Sequence, residues 1–238
     1  IPAVKVLASY GVLKMIDLGG EMGITSWENP SNYGLSLTLG GGDIKLIDLA
    51  KVYATVANYG VAPEVKSVLK IITPKGKVLE NNACPPFCEG KQVLDARIAY
   101  LLIDILKDNT ARTPAFGANS ALVISGHPEV AVKTGTSNDL HDNLTIGFNQ
   151  KYLVAVWVGN NDNSPMSRVA SGITGAAPIF NKIMAGLLAG QESLVWDIPQ
   201  SIDKITVCSL TGTLPCQGCP SRSEWFLKES IPKKACNP

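Results

Sequence analysis

Nine residues constrain this chain more than any others: Glu129-Val130-Ala131-Val132-Lys133-Thr134-Gly135-Thr136-Ser137. Val130 and Val132 alternate with Ala131 and Lys133 at a period of two. That predicts a strand with one face packed inward and the other presenting Lys133 and Gly135. Gly135 has no Cβ, so a ligand backbone can approach the strand edge closely, while Thr134, Thr136 and Ser137 supply short hydroxyl donors for a carboxylate or an oxyanion. Such a set suits one wall of an acyl-transfer site. The plainer alternative is an ordinary strand ending in a polar turn, and spacing alone does not choose between the two.

The residues beyond the lysine do choose. Lys133-Thr134-Gly135 is similar to the third signature of serine β-lactamases and penicillin-binding proteins, whose other two are a nucleophile motif S-x-x-K and a polar triad of the S-x-N or S-D-N type. Ser137-Asn138-Asp139, then Asp142-Asn143-Leu144-Thr145-Ile146-Gly147-Phe148, then Val154-Ala155-Val156-Trp157-Val158-Gly159-Asn160-Asn161-Asp162 resembles the strand, turn and strand that follow this lysine in class A, bifunctional-type penicillin-binding proteins. Asn149-Gln150-Lys151 is a short polar break between two strand-like runs, so a hairpin beside the lysine strand is expected. Residues 47–60 also resemble that family's helix beyond its S-x-N triad. The resemblance implies the C-terminal part of a transpeptidase domain. Its fold would be of the α/β (α+β) class, an antiparallel sheet flanked by helices as in penicillin-binding proteins and serine β-lactamases, incomplete at the N-terminus and followed by a small β-rich cysteine tail.

In the resembled family a serine attacks the carbonyl of a D-alanyl peptide bond, releasing the last residue and leaving an acyl-enzyme that an amine or water resolves; a β-lactam acylates the same serine. Carried onto this sequence, Lys133 would orient the substrate carboxylate and join the proton relay. The Thr134 and Thr136 hydroxyls would bind that carboxylate, with Gly135 and Ser137 beside them, and the Thr136 backbone N–H would be one oxyanion-hole donor. No cofactor and no metal is implied. Three strings read S-x-x-K, namely Ser67 to Lys70, Ser201 to Lys204 and Ser230 to Lys233, but they fall in strand-like or proline-containing stretches, whereas the chemistry needs serine and lysine one helical turn apart. No S-x-N occurs. Ile1-Pro2-Ala3-Val4-Lys5 resembles what directly follows that triad, so the chain is expected to start just after the missing signatures. Ile1 should then lie within about 10 to 15 Å of Lys133, because a few residues reach only roughly 3.5 Å each.

With 238 residues and 45% hydrophobic content, the chain can bury a real core as one large domain, or as one plus a small appendage. A net charge of +1 without a basic block gives no footprint for nucleic acid. The longest apolar run, Tyr152 to Val158, is too short to cross a bilayer, and any membrane tether would come from a segment outside this chain, which opens on Ile1-Pro2 and is expected to be a piece of something longer. Six cysteines cluster as Cys84/Cys88 and Cys208/Cys216/Cys219/Cys236, which suits disulfides in an oxidising compartment, with the tail connectivity left open. A four-thiolate zinc site built around Cys216-x-x-Cys219 competes with that reading.

In chain order, helices are expected over 3–10 and 12–18, the second running into a glycine loop at 19–23. The triple glycine at 40–42 lacks the Gly-Lys-Ser/Thr of a phosphate loop. Asp43 is expected to cap a core helix that ends at Asn58-Tyr59-Gly60. A peripheral hairpin follows around Pro74-Lys75-Gly76-Lys77, then a helix over 93–107, with Asp95, Arg97 and Asp104 at solvated or flanking positions. A glycine-dotted approach occupies 110–127 and a sheet-packing helix 176–188. His127, His141 and Asp142 are expected in turns or loops, Trp157 in the core and Arg168 on the surface. Residues 1–190 are assigned to the later transpeptidase part and 191–238 to the cysteine tail.

These expectations describe a fragment of an extracytoplasmic peptidoglycan D,D-transpeptidase that meets stem peptides, β-lactam antibiotics and the N-terminal half of its own domain. A β-lactamase or D,D-carboxypeptidase would share the lysine strand but has no reason to carry this tail. The alternative of another class is a non-catalytic stem-peptide or β-lactam binding or sensor module.

Overall fold

The computed structural model describes residues 2–82, 90–166 and 173–237. Helix α1 (Pro2–Tyr10) turns at Gly11 into α2 (Val12–Glu21). The sequence pattern ended α2 at Leu18, but the helix runs through Gly19 and Gly20. Gly19 lies under Trp27, where a Cβ would meet the indole at 2.7 Å, so this glycine permits a helix-to-loop contact instead of stopping the helix. Helix α3 (Leu46–Ala57) follows, and its N-cap is Lys45, not Asp43. The acid that ties this end is Asp48, which is buried and accepts hydrogen bonds from Thr25 N at 2.8 Å and Thr25 Oγ1 at 2.6 Å.

Short strands β1 (Val61–Ala62) and β4 (Lys91–Gln92) pair, as do β2 (Lys70–Ile72) and β3 (Val78–Asn81), the latter being the peripheral hairpin with every residue exposed. Helix α4 (Ala96–Lys107) is capped by Asp95, whose side chain accepts from Arg97 N, and it buries Ala99, Tyr100 and Ile103. The glycine-dotted approach contains a helix that its small residues hid, α5 (Asn109–Phe116), capped by Asp108 and carrying Pro114. Then come β5 (Ala131–Thr136), β6 (Asp142–Phe148), β7 (Leu153–Gly159), α6 (Ala176–Leu188), β8 (Ile202–Cys208) and β9 (Ser221–Leu227).

The central sheet is antiparallel in the order β5-β6-β7, with Lys133 opposite Ile146 and Ala131 opposite Phe148. Contrary to the one-sided packing expected from the lysine stretch, both faces of its first half are covered. Val130 and Val132 join Val154, Val156, Phe180, Met184 and Leu188 under α6, while Ala131 joins Val56, Tyr100, Ile103, Phe148 and Trp196 on the α3 and α4 side. Gly147 allows α6 to lie this close, since a Cβ there would meet Phe180 at 2.5 Å. On α6 itself Ile179, Ile183 and Leu187 point outward.

After α6 the chain returns to the core. Trp196 and Ile202 are buried beside Ala131 and Phe148, and Trp225 meets Tyr100 edge-on at 5.7 Å between centroids. Arg97 reaches Glu229 at 2.9 Å, an exposed pair whose contribution to stability is small. Two disulfides hold this ribbon, Cys208–Cys219 and Cys216–Cys236, with Cα atoms 5.7 and 5.4 Å apart. All four tail thiols are therefore engaged as sulfur–sulfur bonds, and the zinc alternative does not describe this state. Ile1, Arg168 and the expected Cys84–Cys88 bridge lie outside the described residues.

Candidate active-site strand

Among the described residues strand β5 is an edge strand, paired with β6, and its hydrogen-bond pattern decides what the edge offers. Ser137 N donates to Asp142 O at 3.0 Å directly across the ladder, so Ser137, Gly135 and Lys133 occupy the bonded positions, and the backbone groups of Thr134 and Thr136 point away from β6. Side chains alternate the other way. Lys133 and Gly135 share the face of Leu144, while Thr134 and Thr136 share the face of Thr145 and Asn143. The lysine and the threonine hydroxyls therefore lie on opposite faces of the strand. Lys133 is exposed, and its Nζ donates to Thr134 O at 2.6 Å. Thr134 and Gly135 are half-buried and Thr136 is exposed.

The end of the strand is closely held. Ser137 Oγ accepts from Asp142 N at 2.7 Å and keeps its own proton to donate. Between them Asp139 and Leu140 take φ of +56° and +59°, conformations that cost a bulky residue such as leucine about 1 to 3 kcal/mol. That tight turn is bound to the loop after β7, with Met166 N donating to Leu140 O at 3.0 Å and His141 Nδ1 to Asn163 O at 2.6 Å. His141 is thus a half-buried fastening and not a free loop residue. Asp142, expected in a turn or loop, is instead the first residue of β6, and its side chain accepts from Trp157 Nε1 on β7 at 2.8 Å. Trp157 itself is 39% exposed on the outer strand and is not a core residue.

Three residues below the motif were missed. Asn143, fully buried opposite Thr136, accepts from Ala176 N at 2.8 Å and so fixes the start of α6 to the motif end of β6. Glu129 and His127, the latter expected only as a turn residue, form a buried pair 2.9 Å apart at the head of β5. Burial pushes the Glu129 carboxyl up, but hydrogen bonds from Ser193 and His127 and from backbone N–H groups outweigh it and hold its pKa below the ordinary glutamate value. Although serine, histidine and carboxylate are all present, the carboxylate sits in the middle and Ser193 Oγ donates to it at 2.7 Å, so the serine is not activated by the histidine. The sequence signal available was Glu129 itself, an acid that opens an apolar strand.

None of the three S-x-x-K strings lies on an α-helix. Ser67 precedes β2, Ser201 sits in a turn at the start of β8, and Ser230 is in a short 3-10 segment. A shallow cleft lined by Met22, Lys51, Pro63 and Val65 shares no residue with β5.

The chain is 30% identical over 239 residues to penicillin-binding protein 1A of Clostridium tetani, a match that covers 98% of this chain and 29% of the relative. It is a relative of the class A penicillin-binding proteins. Residues 198–238 match the family model described as Penicillin-binding protein 1A, C-terminal domain. The crystal structure of penicillin-binding protein 1A from Haemophilus influenzae superposes with a TM-score of 0.81 at 20% identity, covering 99% of this chain and 39% of that one. The PonA1 protein of Mycobacterium tuberculosis in complex with penicillin V gives a TM-score of 0.68 at 21% identity, covering 82% of this chain and 55% of that one. The fold is therefore that of the penicillin-binding proteins, and the chain spans under a third of the length of its Clostridium relative.

Proposed function

We propose that this chain is the later part of a peptidoglycan D,D-transpeptidase domain, residues 1–190, joined to a cysteine-bearing C-terminal part, residues 191–238. The observation that carries the reading is exposed Lys133 on β5, whose Nζ donates to the Thr134 carbonyl at 2.6 Å, with the Thr134 and Thr136 side chains on the other face of the same strand. Lys133 supplies the positive charge for a stem-peptide or β-lactam carboxylate, and Thr134, Thr136 and Ser137 supply donors around Gly135. The outward direction of the Thr136 backbone supports its role as an oxyanion donor, worth roughly 3 kcal/mol in transition-state stabilisation. The nucleophilic serine comes from elsewhere in the parent protein. Val6 on α1, Leu13 on α2 and Leu39 between α2 and α3, each more than half exposed, suit packing against that other part of the domain. Two disulfides suit an extracytoplasmic site at the bacterial cytoplasmic membrane. Among the described residues no helix is long and apolar enough to cross a membrane, so the tether would belong to another segment.

A non-catalytic β-lactam or stem-peptide sensor is the second reading, favoured by the lack of any helical S-x-x-K among the described residues. Release of D-alanine from a stem pentapeptide by the intact parent separates the two. Turnover supports the transpeptidase, and tight binding without release supports the sensor.

A further inference from the structure

Glu129 stands two residues ahead of β5 and is 4% exposed, held by neighbouring His127 and by Ser193 and Trp196 from far along the chain. His127 Nδ1 donates to Oε1 at 2.9 Å, Ser193 Oγ donates to Oε2 at 2.7 Å, and Trp196 Nε1 donates to the main-chain oxygen at 2.8 Å. Ser193 and Trp196 belong to the connector between α6 and the disulfide-bonded ribbon. Trp196 is itself clamped. It packs edge-on against Phe148, which opposes Ala131 in the sheet, and against Tyr59, each at 6.0 Å between centroids, and Tyr59 OH donates to Asp197 O at 2.9 Å. A carboxylate taken out of water is costly to keep without partners, and here both oxygens are occupied. The cluster therefore has one stable arrangement, and that arrangement fixes where the lysine strand begins.

We infer that Glu129 is a positioning residue for acyl transfer, the joint through which the connector after α6 sets the placement of Lys133. The inference rests on the transpeptidase reading above. A strand rises roughly 3.3 Å per residue, so Lys133 lies about 7 Å into β5, whose start the joint holds two residues earlier. A tilt or slip at the head of the strand is carried to its catalytic end, where a misplacement near 1 Å costs up to about a hundredfold in rate.

The test uses the full-length parent protein and a fluorescent penicillin, with non-covalent binding separated from the acylation step. Glu129→Ala should slow the acylation step about tenfold or more while changing non-covalent binding less than about threefold. Glu129→Gln, which keeps the shape and can still accept from Ser193, should recover most of that loss. Val207→Ala, a buried ribbon variant away from the joint, should lower the melting temperature yet acylate within about twofold of wild type. Should Glu129→Ala not fold, Ser193→Ala must still slow acylation about threefold or more. Wild-type acylation in Glu129→Ala, or in Ser193→Ala when it stands in, overturns the inference and leaves the site reading intact. An equal loss in Val207→Ala also overturns it, because the effect is then one of general stability. A wild type that takes no label overturns the site reading and this inference together.

Discussion

At the scale of single residues, Asp48 shows how a buried charge is kept. Burial pushes its carboxyl up, yet the Thr25 hydroxyl and backbone N–H, with Lys51 Nζ at 3.0 Å, bring its pKa down to about 2. A carboxyl whose folded pKa lies below its unfolded value stabilises the fold above the unfolded pKa, and that contribution disappears as pH falls through the folded one. Between about pH 5 and pH 2 the protein should lose on the order of 2 kcal/mol through this group. Asp48→Asn should be less stable than wild type at neutral pH and should approach it near pH 2, as read by urea unfolding at each pH. A gap that stays constant with pH would contradict the assignment. Asp48 was not readable in the sequence as the anchor because its partner, Thr25, is twenty-three positions away, whereas Asp43 has the local look of a cap. Lys133 was readable because its strand, its glycine and its hydroxyls are contiguous. Glu129 was not, because its meaning depends on Ser193 and Trp196.

At the scale of elements, α6 packs on the sheet through fully buried Phe180, with Val130, Val132, Val154 and Met184 in the same cluster. Phe180→Ala should cost about 3 to 5 kcal/mol, measured by denaturant unfolding. Gly147→Val should destabilise comparably, since its side chain enters the space held by the Phe180 ring. Variants that behave like wild type would mean that α6 does not lie on β6 as described. The β6–β7 hairpin and the length of α6 followed from period and polar breaks in the sequence. Helix α5 did not, because Thr110, Ala111, Thr113 and Pro114 carry no apolar stripe and the Asp108 cap is its main local signal. Trp157, expected in the core as a large aromatic, lies outside, with its indole N–H bonded to Asp142.

At the scale of the whole molecule, the ribbon after α6 is pinned by two disulfides across sequence separations of 11 and 20, each worth about 3 kcal/mol in the chain-entropy account. Peptide mapping without reduction should recover Cys208 with Cys219 and Cys216 with Cys236. A different pairing, four reactive tail thiols in denaturant, or zinc that a chelator removes would contradict the described state.

The central claim is that the lysine strand lines an acyl-transfer site, and the most direct measurement is the second-order rate of acylation of the intact parent by a fluorescent penicillin. Lys133→Ala should lower that rate by about a hundredfold or more, as expected for loss of a charged group that acts on the transition state, whereas Arg168→Ala should change it little. Equal rates for Lys133→Ala and wild type, or equal losses in the two variants, would contradict the account.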